Sequence, residues 1–143
     1  MHFRDMENSV HATSVYWGTE LVSDRFFNDF PPSYDEIDSA INFTEEVLSE
    51  IQHFFDGKSI LYSKDPMARV IVRLAFNNSI EGELIGMSQV EMEHVFNRLA
   101  NIIKGLPSTQ DVLPNHNEFA AYLLILREVM HHLHFDMLLV REF

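Results

Sequence analysis

The sequence predicts an all-α protein, a single-domain bundle of about four main helices with a partly helical N-terminal arm. Three observations carry that prediction. From Asn115 to about Val140 there is neither Gly nor Pro, and Phe119, Leu123, Leu126, Met130, Leu133 and Met137 recur at steps of three or four residues along one stripe. Two Ser-x-x-Glu capping boxes, Ser33 with Glu36 and Ser88 with Glu91, open apolar-periodic runs. Asp65-Pro66 supplies an N-cap and a first-turn proline, a third helix start.

Residues 1–33 form the arm. Phe3, Met6, Val10, Trp17 and Leu21 fall at roughly helical intervals, a short helix around Ser23–Phe30 gathers Phe26, Phe27 and Phe30, and Pro31-Pro32 stops it. These aromatics pack the arm onto the body, with Tyr16 and Trp17 as the alternative anchors of a binding face. The helix expected over 34–56 buries Ile37, Ala40, Ile41, Thr44, Val47, Leu48 and Ile51 and ends at Asp56-Gly57. Its other face carries Asp35, Asp38, Glu45, Glu46 and Glu50 with no base among them, so the acids have no partner within the helix. Those in the first turn complement the helix dipole. Glu45, Glu46 and Glu50 do not, which singles them out.

Lys58–Ser63 reads as a connector with one extended turn at Ile60-Leu61. The helix expected over 65–78 is apolar almost all round, and its Val70-Ile71-Val72 run also permits a central strand. Ser79–Met87, with Gly82 and Gly86, reads as a loop. A helix over 89–104 buries Met92, Val95, Phe96, Leu99, Ile102 and Ile103 and ends at Lys104-Gly105. Leu106–Asn115 then crosses to the terminal helix, expected over 116–140 with Asn115 as cap and Glu118 reaching back to it.

Composition limits the function. A chain of 143 residues, 46% apolar, buries a core without staples, and the absence of cysteine removes disulfides and thiolate chemistry. No leader or apolar span is legible, so the cytoplasm is the expected location. The net charge is −12, and residues 1–57 hold twelve acids against Arg4 and Arg25 alone. Such a chain does not neutralise a phosphate backbone; it suits a basic partner. Leu84–Ser88 before an amphipathic helix has the outline of a helix-turn-helix, but Glu91 and Glu93 lead the would-be reading helix and repel phosphate.

Two Glu-x-x-His pairs, Glu91 with His94 and Glu128 with His131, have the spacing of di-metal bundles, yet both fall off the buried stripes. His131, His132 and His134 cannot converge on one ion from a single helix. No metal and no cofactor is therefore expected, and no catalytic set appears. The reading is an acidic binding protein that is not an enzyme: an inhibitor of the immunity-protein or antitoxin kind, covering a basic, nuclease-type site on a partner protein. Its partner-binding residues are Glu45, Glu46, Glu50, Asp38, Trp17, Tyr16 and Tyr34. The alternatives are a helical metal-binding or enzymatic domain using the Glu/His pairs, and a homodimer in which Leu124, Leu138 and Leu139 extend the terminal stripe.

Overall fold

A computed structural model describes residues 2–3, 13–14, 19–54, 59–76, 84–107, 109 and 111–141. Within them the fold is mixed α/β, and the all-α expectation is wrong. Short strands β1 (His2–Phe3) and β2 (Thr13–Ser14) pair antiparallel, then α1 (Thr19–Phe26) and α2 (Tyr34–Ser49) follow. A 3-10 turn at Gln52–Phe54 leads to β3 (Ser59–Ser63), α3 (Pro66–Ala75), β4 (Leu84–Ser88), α4 (Gln89–Ile103), α5 (Asn117–His132) and β5 (Phe135–Arg141). The last three strands form one sheet in the order β3-β5-β4, with β5 parallel to β3 and antiparallel to β4.

Three segments account for the error. The connector before Asp65 is strand β3, the glycine-bearing loop ends in strand β4, and the terminal helix stops at His132. The reversal there needs no Gly or Pro. His134 takes φ +59°, a left-handed conformation for which His is enriched several-fold among non-glycine residues. Gln89 secures the corner: its Nε2 donates to the Met130 carbonyl at 3.1 Å and to the Phe135 carbonyl at 2.8 Å. Helix-periodic Met137 is in fact a strand residue, level with Ile60 and Ser88 in the sheet. Leu84–Ser88, being a strand, is no helix-turn-helix turn.

The helix starts follow the local chemistry. Both capping boxes form, at Ser33–Glu36 and Ser88–Glu91. Residues 66–75 are helix rather than strand, since Pro66 at the first helical position presets φ and lacks a donor that would be orphaned anyway. Gly105 takes φ +116°, and the Leu106 and Gly105 N–H groups donate to the Asn101 and Ile102 carbonyls, a Schellman closure of α4. The cap of α5 is His116, not Asn115; its Nδ1 accepts from the Phe119 N–H at 3.2 Å.

Phe119 to Leu126 is buried without a break. A helix with no exposed side in its first half is an axis, not a surface element. Helices α1, α2 and α4 pack around it, and β5 returns from its end. In the sheet, Leu61, Leu138 and Met87 lie in one row and are buried, whereas Tyr62, Leu139 and Gly86 in the next are half-exposed. Leu124 and Leu138, expected beside a dimer stripe, are core residues. Arg98 ties α4 to the crossing segment through two bonds to Asp111, at 2.6 and 3.0 Å, and a third to the Leu74 carbonyl. Among the described residues no helix is long and apolar enough to cross a membrane.

Two outcomes test this packing. Leu123→Ala, at a fully buried position on α5, should cost about 2–5 kcal/mol in denaturant unfolding. The Arg98 guanidinium holds the Asp111 carboxyl below its ordinary value of 3.8. A lowered folded-state pKa gives stability that is present above the unfolded value and lost as pH falls through the folded one. Asp111→Asn should therefore cost about 2 kcal/mol at neutral pH, and the deficit should shrink below pH 3.8; a deficit constant with pH would contradict the pairing.

Candidate functional site

Buried charge is scarce among the described residues, which makes Glu128 conspicuous. It lies on α5, whose side chains are otherwise mostly apolar, and its side chain is only 4% exposed. Charged and titratable side chains of α5 and α2 lie about it, and α4 acts on it through Arg127. Its Oε1 lies 3.4 Å from Arg127 Nη1 and its Oε2 lies 3.2 Å from His132 Nε2, one helical turn further along α5. Glu45 reaches in from α2, its Oε1 3.6 Å from the same His132 nitrogen. Glu93 of α4 takes Arg127 Nε at 2.7 Å, and the Arg127 guanidinium sits 4.4 Å above the Phe96 ring.

Local sequence explains why these groups meet. On α2, Ala40, Thr44 and Leu48 recur every four residues and point inward, fully buried. Thr44 Oγ1 donates to the Ala40 carbonyl at 2.8 Å and so needs no other partner. Glu45 follows Thr44 and stands at the rim of that buried stripe, half-exposed, with its carboxylate toward His132 of α5. Arg127 is held in place by Glu93 and stacked on Phe96, so its charge is shared rather than devoted to Glu128.

The electrostatics are unbalanced. Burial pushes the Glu128 carboxyl above its ordinary value of 4.5; Arg127 and His132 pull it down, Glu45 pushes it up again, and His131 pulls more weakly. Desolvation wins. Glu45, Glu128 and His132 each present a ligand atom, and these atoms all lie within 4.8 Å of one another. Two carboxylates and an imidazole at that separation are donors for a divalent cation, and Glu45 and His132 are half-exposed, leaving the cluster open to solvent.

Of the residues expected to bind a partner, Glu45 alone enters this cluster. Glu46, Glu50 and Asp38 are exposed elsewhere on α2 or at its end, and Tyr34 is 54% exposed at its start. Tyr16 and Trp17 lie outside the described residues. His94, His131 and His134 are exposed. Sequence reasoning found Glu128 but matched it with His131 at three residues. The partner is His132 at four, a spacing equally visible in the sequence. The cross-helix members Glu93 and Arg127 had no sequence signal.

No family model matches the chain, and no curated protein does. Its fold is similar to solved structures of Ppx/GppA phosphatases from Aquifex aeolicus. One, a type II variant, superposes with a TM-score of 0.74 at 15% identity over 94% of this chain. Another gives 0.69 at 14% identity, again over 94%. The chain spans under half the length of those proteins, 46% and 45% respectively. This α/β likeness overturns the all-α expectation, and with it the reading built on that expectation: an inhibitor of the immunity-protein or antitoxin kind that is not an enzyme. The fold is α/β, and the solved structure it matches at a TM-score of 0.74 is that of a phosphatase.

The raised affinity of Glu128 for its proton has a measurable sign. A carboxyl whose folded-state pKa exceeds its unfolded value gives stability that is full below the unfolded pKa and lost as pH rises through the folded one. In metal-free protein, Glu128→Gln should gain stability relative to the parent as pH rises from 4.5 toward 7. Denaturant unfolding at several pH values checks this, and a constant difference would contradict a strained carboxylate.

Proposed function

We propose that this chain is one lobe of a phosphatase-type enzyme, cleaving a phosphate ester or phosphoanhydride, with Glu45, Glu128 and His132 as its contribution to the reacting centre. The observation that carries the reading is the likeness of nearly the whole chain to less than half of a phosphatase. The other lobe is then a second stretch of polypeptide, on the same chain or another.

Charge supports this division of labour. Phosphoryl transfer rests on positioning and on cations that neutralise the equatorial oxygens. This chain has ten Lys and Arg against twenty-two acids, and Arg98 and Arg127 are engaged with Asp111 and Glu93. No Gly-rich phosphate loop is legible in the sequence. Such a lobe suits the water and the cation of a hydrolytic reaction better than the phosphate, which the other lobe would cradle. A buried carboxylate of perturbed pKa beside an open face is a physically reasoned functional candidate.

The test is phosphate release from a chromogenic phosphomonoester and from inorganic pyrophosphate. It is run on the chain alone and on the assembly co-purified from its native source, with divalent ions present. Turnover in at least one condition, lowered about 100-fold or more by Glu45→Gln, is the expected result. Turnover no greater than that of Glu45→Gln in every condition would overturn the reading.

A further inference from the structure

We propose that Glu45, Glu128 and His132 bind one divalent first-row transition ion, zinc by preference, which clips α2 to α5 and keeps a coordination position open to solvent.

The geometry is close to what such an ion needs. Zinc bonds to carboxylate oxygen and imidazole nitrogen are about 2.0–2.2 Å, which places neighbouring tetrahedral ligand atoms about 3.4 Å apart. Here the His132 nitrogen is 3.2 Å from the Glu128 oxygen and 3.6 Å from the Glu45 oxygen. The two carboxylates need close only the remaining edge, already no longer than 4.8 Å. Glu45 and His132 are half-exposed and make that adjustment by side-chain rotation, while buried Glu128 stays fixed.

Donor type selects the ion. Magnesium and calcium favour sets built from oxygen alone, whereas an imidazole with two carboxylates suits zinc and its neighbours. Three protein ligands leave a fourth position for water, the pattern of catalytic rather than structural zinc. Arg127, hydrogen-bonded to Glu128 and anchored by Glu93 and Phe96, orients the buried ligand from behind. The divalent charge offsets the two carboxylates, which the half-committed Arg127 does not.

Catalytic use of this ion rests on the phosphatase reading; binding does not, so the test reads binding. Untagged, metal-stripped protein is titrated with zinc chloride in a calorimeter, and thermal unfolding is followed with and without the ion. The expected results are one ion per chain, a rise in Tm, and affinity for magnesium at least 100-fold weaker. Glu45→Gln, at a half-exposed position that should fold normally, should weaken zinc at least tenfold, and His132→Ala more. Asp38→Asn, an exposed acid on the same helix, should change nothing. Binding that ignores Glu45→Gln and His132→Ala, or no saturable binding, overturns the site. If zinc binds as expected and no phosphate substrate turns over, the functional reading fails and the metal site stands.

Discussion

The burial of α5 on every side from Phe119 to Leu126 is the constraint from which the rest follows. A helix apolar around its circumference must be covered everywhere, and α1, α2, α4 and the returning strand β5 do that. Covering it also covers whatever polar group it carries. Glu128 sits near its C-terminal end, where α2 and α4 still flank the axis, and the carboxyl is desolvated as a consequence of the packing. Arg127, held by Glu93, and His132 are then the compensation that lets a carboxylate remain there at all, while Glu45 works against it. Buried carboxylates are otherwise costly, because the charged form loses its hydration.

That compensation is incomplete. Arg127 makes its shorter bond to Glu93, at 2.7 Å, and only a long one, at 3.4 Å, to Glu128. A protein under selection for stability alone would gain by replacing Glu128 with an apolar residue of similar volume, since buried ion pairs seldom repay their desolvation. Retaining an under-compensated acid on the central helix is the pattern of a site where stability is traded for function. The choice of His132, rather than Arg or Lys, as the other close neighbour points the same way. An imidazole nitrogen donates to a carboxylate in one state and coordinates a metal in another.

How far the sequence disclosed this depended on the range over which each signal acts. Signals within one turn were legible: both Ser-x-x-Glu boxes, Pro66 at a helix start and Gly105 after a helix end all form as read. Strands were not. β3 is five residues long and lies, in the sequence, between Gly57 and Pro66, so no window long enough to show alternation exists. β4 carries Gly86, which reads as a loop. In the sheet that glycine leaves room for neighbouring side chains, since a Cβ there would lie 2.8 Å from the Leu139 Cδ2 atom and 3.1 Å from the Met137 Cε atom. The acidic face of α2 was read correctly as a face. What the face did not show is that one of its members, Glu45, belongs to a cluster with Glu128 and His132 of α5, and no single-helix pattern contains such a cluster.

The stretch read most readily was the one read least correctly, and its physics explains why. Phe119 to Met130 sets up a helical period, and Leu133 and Met137 continue it by spacing alone. Periodicity of apolar residues reports which residues are buried, not which backbone buries them. Once α5 is surrounded, the strand after it is largely buried too, as the central member of the sheet, so apolar residues persist after the geometry has changed. Leu138 and Val140 are covered by the helices, Phe135 is buried, and Met137 and Leu139 lie half-exposed on the outer face. The change of backbone is enforced from outside the segment, by Gln89 taking up the Met130 and Phe135 carbonyls across the corner. With α5 ending there, His132 lies in its last turn, its ring only partly covered and one helical turn from Glu128. A helix continued to Val140 would have prolonged the axis and left no third strand; ending it at His132 makes the sheet, while the four-residue spacing within α5 places the imidazole beside the buried acid.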